Sequence, residues 1–77
     1  MKITLNGEPY ETKGENIAQL LEELKIAPGR VAVEVNLSIV KKADYASHPL
    51  YEGDAVEVVS FIGGGESALS ASGVLPT

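Results

Sequence analysis

The sequence predicts an α+β domain: a mixed sheet of four to five strands with one main helix across one face. Three observations predict it. Period-two alternation of apolar and polar residues recurs at the start, middle and end of the chain, the pattern of half-buried strands. One stretch only, residues 17–24, spaces its apolar residues for a helix. The whole chain has 77 residues, enough for one domain whose small core buries only about 60% of the unfolded surface.

The elements follow in order. Met1, Ile3 and Leu5 alternate with Lys2 and Thr4 in a first strand. Asn6-Gly7 tolerates positive φ at both positions and predicts a two-residue hairpin turn. A second strand, residues 8–12, runs back antiparallel, and Pro9, lacking an N–H donor, marks it as an edge. Lys13-Gly14-Glu15 breaks the pattern. Asn16 then caps a helix, with Gln19 at the capping-box position. Ile17, Leu20, Leu21 and Leu24 form one apolar stripe, while Glu22, Glu23 and Lys25 are expected to face water. Pro28-Gly29 sets the limit of the helix, because residues before proline avoid the helical region.

Val31, Val33 and Val35 alternate with Ala32 and Glu34 in a third strand. Asn36-Leu37-Ser38 is a turn, and residues 39–41 are a short fourth strand. Residues 44–49 look irregular, with room for one helical turn. Glu52-Gly53-Asp54 turns the chain into the long last strand, residues 55–62, rich in valine. The three glycines Gly63, Gly64 and Gly65 stop that strand.

One helix covers one face of a sheet. Pairing the first and last strands in parallel at the centre makes the sheet compact, the ubiquitin-like β-grasp arrangement. The division expected is a β-grasp domain over residues 1–62, a glycine arm at 63–65 and a flexible tail at 66–77. On the last strand Val56 and Val58 point to the helix. Ala55, Glu57, Val59 and Phe61 then share the uncovered face with Ala32 of the third strand. Val59, Phe61 and Ala32 form an apolar patch there, a mark of a partner site; the alternative is Phe61 folded back over a sheet edge.

Composition narrows the function. The chain has no cysteine, which excludes disulfides and thiolate zinc sites, and its single histidine, His48, makes a histidine metal cluster or a Ser-His-Asp triad improbable. No bound metal or cofactor and no catalytic residue of its own are expected. The net charge of −5 disfavours nucleic acid and suits a basic protein partner. No apolar run approaches the roughly 18 residues of a membrane span, and no signal-peptide core is visible, so the expected setting is cytoplasmic. The glycine run is not a phosphate loop, since no lysine or helix start follows it. Taken alone it also fits a plain linker.

At this point the chain resembles the ThiS family, the sulfur carrier proteins of thiamin biosynthesis. The resemblance rests on the opening Met1-Lys2-Ile3-Thr4-Leu5-Asn6-Gly7, the helix Asn16-Ile17-Ala18-Gln19-Leu20-Leu21, and the stretch Val31-Ala32-Val33-Glu34-Val35-Asn36 with Ile39-Val40. It also rests on Leu50-Tyr51-Glu52-Gly53-Asp54-Ala55-Val56-Glu57-Val58-Val59 and the ending Phe61-Ile62-Gly63-Gly64-Gly65. The resemblance implies a protein cosubstrate. An E1-like adenylyltransferase would use MgATP to activate the carboxylate of Gly65, a sulfur-relay enzyme would convert it to a thiocarboxylate, and thiazole synthase would take the sulfur. Gly63 and Gly64 would be the arm. Ala32, Glu34, Glu57, Val59 and Phe61 would be the face offered to partners, with Glu34 and Glu57 steering a basic one.

The pattern is broken after Gly65. A peptide bond joins it to residues 66–77, and an amide is not adenylated as a carboxylate is. The expectation is removal of the tail after Gly65 by a processing protease, against an expression remnant or a diverged member without the chemistry. Two other functions stay open: a carrier for another pathway, of the molybdopterin synthase small-subunit type, and a ubiquitin-like interaction module that never forms an acyl-adenylate.

Overall fold

Period-two alternation becomes strand wherever the sequence carries it. The computed structural model describes residues 1–60 of the chain. Its strands are β1 (Lys2–Leu5), β2 (Glu8–Glu11), β3 (Val31–Val35), β4 (Ser38–Val40) and β5 (Ala55–Ser60), with one helix, α1 (Ile17–Glu23), between β2 and β3. Short 3-10 turns occupy Pro28–Arg30 and Lys42–Asp44, the second at the start of the stretch expected to be irregular.

The strands form one five-stranded sheet in the order β2-β1-β5-β3-β4. The central pair, β1 and β5, is parallel, with Thr4 opposite Ala55 and Leu5 opposite Val56; the other pairs are antiparallel. This is the ubiquitin-like β-grasp arrangement expected from the sequence. β2 is an edge, as Pro9 required.

The helix has only seven residues and would not persist alone in water. Tertiary packing holds it. Ile17, Leu20 and Leu21 are fully buried against Ile3, Leu5, Val33, Val56 and Val58 in one core cluster, each burial worth about 1.5–3 kcal/mol. Asn16 Oδ1 accepts the Gln19 N–H at 2.8 Å, the expected cap. The Gln19 side chain returns to the N–H of Glu15, not of Asn16, at 2.8 Å. Gly14 lies tight against this first turn: a Cβ there would meet Leu20 N at 3.0 Å, so only glycine fits without movement.

The helix stops earlier than Pro28 requires, and for another reason. Lys25 takes the left-handed conformation (φ 61°). Its N–H donates to Glu22 O at 3.0 Å, and the Ile26 N–H donates to Leu21 O at 2.9 Å. These are the paired bonds of a Schellman stop, with lysine where glycine is usual.

Glu23 also departs from expectation. It is exposed, yet it is bound to protein. Oε2 accepts from the Tyr10 hydroxyl at 2.5 Å, and Oε1 accepts from Thr12 Oγ1 at 3.2 Å and the Lys13 N–H at 3.0 Å. The carboxylate ties the helix end to β2 and the loop that follows it. Burial alone would raise its pKa; the bonds from Tyr10, the Lys13 N–H and Thr12 outweigh that and hold it below its ordinary value. The bond to Glu23, aided by burial and the nearby negative charge, raises the Tyr10 hydroxyl.

β4 begins one residue before the expected strand. Asn36 and Leu37 both have positive φ (52° and 72°) and close a two-residue hairpin, which brings Ser38 into register opposite Val35. Among the described residues no helix is long and apolar enough to cross a membrane.

Candidate functional site

The helix covers one face of the sheet and leaves the other open. On β3, Val31, Val33 and Val35 are buried while Ala32 and Glu34 are half-buried. On β5, Val56 and Val58 are buried, Glu57 is exposed and Val59 is half-buried. The faces assigned from sequence hold for these residues.

The register brings four of the expected partner residues together. Ala32 lies directly opposite Val59, and Glu34 directly opposite Glu57. Directly opposed side chains on antiparallel strands stand about 4.5–5.5 Å apart at Cβ. The open face thus carries a small apolar pair beside two facing carboxylates. Among the described residues neither carboxylate forms an ion pair; the described ion pair joins the N-terminal ammonium to Glu11 at 3.1 Å. Like charges so placed destabilise a sheet.

Ile39 was not anticipated as part of this face. It lies opposite Glu34 on β4 and is 73% exposed. The signal was present: Val40 is buried, so its neighbour on a strand must point the other way. Ile39, Glu34 and Glu57 therefore form one row across three strands.

Phe61, Gly63, Gly64 and Gly65, and the whole tail at 66–77, lie outside the described residues. The described part of β5 ends at Ser60, one residue before Phe61. Among the described residues no group of three histidine, cysteine or acidic side chains is placed to hold a metal ion. His48 is half-buried, with ring Nδ1 at 3.1 Å from Pro49 O, and its backbone carbonyl accepts the Ile17 N–H at 3.2 Å at the start of the helix.

Two asparagines read from sequence only as turn residues have a second role. Asn6 (φ 50°) follows β1, and Asn36 (φ 52°) follows β3, the two strands flanking β5. Asn36 Oδ1 accepts the N–H of Ala55 at 3.0 Å, and Nδ2 donates to Asp54 Oδ1 at 3.0 Å. Asn6 Oδ1 accepts the N–H of Val58 at 2.8 Å, and Nδ2 lies 3.4 Å from Val58 O. One carboxamide pins the start of β5 and the other pins it near its far end. No periodicity signals this, because the bonds span 19 and 52 residues of sequence.

The pattern of the ThiS family matches residues 3–65, so the match stops at the third glycine. Two relatives named thiazole synthase, from Magnetococcus marinus and Paramagnetospirillum magneticum, are 48% and 44% identical over 86% and 84% of this chain. The chain spans only about a fifth of their length (21% and 20%). A protein named sulfur carrier protein ThiS, from Thermus thermophilus, is 36% identical over 82% of this chain and 98% of its own length. The crystal structure of the thiamine biosynthesis protein ThiS from Geobacter metallireducens is similar with a TM-score of 0.73 at 36% identity, covering 84% of this chain and 100% of that one.

Proposed function

Because this chain belongs to the ThiS family, we propose that it is a sulfur carrier of thiamin biosynthesis, a protein cosubstrate and not an enzyme. The observation that carries the reading is the end of the family match at Gly65, a few residues beyond the central strand of this sheet. In this reading a protease first removes residues 66–77 and frees the Gly65 carboxylate. An E1-like adenylyltransferase, which holds MgATP, lets that carboxylate attack the α-phosphorus and expel pyrophosphate. The outer sulfur of a relay enzyme's persulfide then attacks the acyl carbon and expels AMP, and a second thiol cleaves the resulting acyl disulfide, leaving the thiocarboxylate on Gly65 and a disulfide on the relay side. Thiazole synthase takes the sulfur.

The chain's own contribution is shape and surface. Gly63 and Gly64 present no side chain to a narrow active-site channel. Ala32 and Val59 supply the apolar part of the proposed partner face, with Phe61 as the candidate the sequence adds, and Glu34 and Glu57 supply its charged part. The relatives named thiazole synthase support that enzyme as the recipient, since a segment similar to this chain forms part of each of them.

The test compares two chains, one ending at Gly65 and one at Thr77, each incubated with the adenylyltransferase, MgATP and a sulfur donor. Intact mass and a thiol-specific reagent report the product. The shorter chain is expected to exchange one oxygen for sulfur, and the longer chain to stay unchanged. Thiocarboxylate on the intact longer chain would refute the need for cleavage. No thiocarboxylate on the shorter chain would refute the carrier reading.

A further inference from the structure

Arg30, Lys41 and Lys42 are exposed, in a chain with 6 basic and 11 acidic residues. The fold gathers these three cations at one end of the sheet. Arg30 closes the first 3-10 turn and leads into Val31, which lies opposite Ser60 at the described end of β5. Lys42 opens the second 3-10 turn, and its Nζ stands over the first turn, 3.6 Å from where a Cβ on Gly29 would lie. The Tyr45 N–H donates to Lys42 O at 3.1 Å and its hydroxyl to Val31 O at 3.4 Å, which ties the second turn to the start of β3. Lys41 has extended backbone (φ −68°, ψ 145°) after the buried Val40, so its side chain leaves on the open face, as that of Ile39 does. Among the described residues none of the three side chains forms an ion pair or a hydrogen bond. Asp44 lies in the same turn as Lys42 and does not pair with it. Cations gathered in this way repel one another, so an opposite charge brought by a partner is favoured there.

We propose that Arg30, Lys41 and Lys42 form a docking patch for an acidic surface of the adenylyltransferase. The inference rests on the carrier reading and adds to its partner face, which is apolar and acidic. In that reading the enzyme's active site holds Gly65. Gly65 follows Ser60 by five residues, a span of at most about 18 Å whatever path they take. The enzyme therefore comes against the end of the sheet that carries Ser60, where the cations meet it. Glu34 and Glu57 face each other farther along β3 and β5. Opposite charges at two places on one molecule fix the direction of docking as well as its strength.

The experiment titrates chains ending at Gly65 against the adenylyltransferase by calorimetry, at low and at high salt, with urea unfolding to confirm that each chain folds. The helix and all five strands lie before that end. Arg30→Gln/Lys41→Gln/Lys42→Gln removes the patch. Lys2→Gln/Lys13→Gln/Lys25→Gln removes the other three cations and the same net charge. Arg30→Lys/Lys41→Arg/Lys42→Arg keeps every charge.

The patch variant is expected to bind about 5- to 10-fold more weakly at low salt, with the difference shrinking at high salt. The control variant should stay within about 2-fold of wild type, since scattered surface charges contribute little. The charge-keeping variant should bind as wild type does. Wild-type affinity in the patch variant, or an equal loss in either of the other two, overturns the proposal. So does wild-type binding to a single-stranded RNA oligonucleotide that the patch variant loses, which would assign the patch to phosphates. Thiocarboxylate formation on the wild type separates the two readings. Its failure overturns the carrier reading and this inference with it, whereas a loaded wild type beside a patch variant of unchanged affinity overturns only the inference.

Discussion

Leu37 shows what one residue can cost and what it leaves unexplained by packing. It occupies the second position of a hairpin turn at φ 72°, where glycine is the favoured residue, and it is 89% exposed. The other hairpin, between β1 and β2, has Asn6-Gly7 at the equivalent positions. A left-handed backbone costs a non-glycine residue about 1–2 kcal/mol, and part of that gain is returned when glycine loosens the unfolded chain. Leu37→Gly is therefore expected to stabilise the fold by about 0.5–1 kcal/mol in urea unfolding. A loss of stability would show that the leucine side chain packs against something in solution.

At the scale of elements, Glu23 joins α1 to β2 and gives the fold a pH dependence. Its bonds from Tyr10, Thr12 and Lys13 favour the charged carboxylate. The folded chain thus holds this proton less tightly than the unfolded chain. The stabilisation is complete above the ordinary carboxyl value of 4.5 and is lost as pH falls through the lower folded value. At the alkaline end the same clamp weakens as pH rises through the raised Tyr10 value, above 10.0. Glu23→Gln is expected to be less stable than wild type at pH 7, and the difference should shrink when both are unfolded at pH 3. A constant difference between the two pH values would show that the carboxylate's charge contributes nothing.

For the whole molecule, the net charge of −5 and the facing pair of Glu34 and Glu57 bear on the proposed docking with a basic partner. The pair weakens the sheet in the free chain, and a cation brought by a partner would relieve it. Glu34→Gln is expected to gain a few tenths of a kcal/mol in fold stability, by removing one of two opposed charges. The same variant should bind thiazole synthase more weakly at low salt, with the difference fading at high salt as screening grows. Calorimetric titration at two ionic strengths measures this. Binding that matches wild type at low salt would count against a basic partner on this face.

Local sequence by itself determined the elements: alternation set the strands, a four-residue apolar stripe set the helix, and Asn16 with Gln19 set its start. It also determined the two faces of β3 and β5, because side chains on a strand alternate regardless of what surrounds them. Tertiary structure decided everything that depends on register or on distant partners. Only the pairing of β3 with β5 places Glu34 opposite Glu57, and only the pairing of β3 with β4 adds Ile39 to the row. The roles of Glu23, Asn6 and Asn36 were hidden for the same reason. Each side chain satisfies groups far away along the chain, and local spacing carries no record of a contact that forms only when the sheet closes.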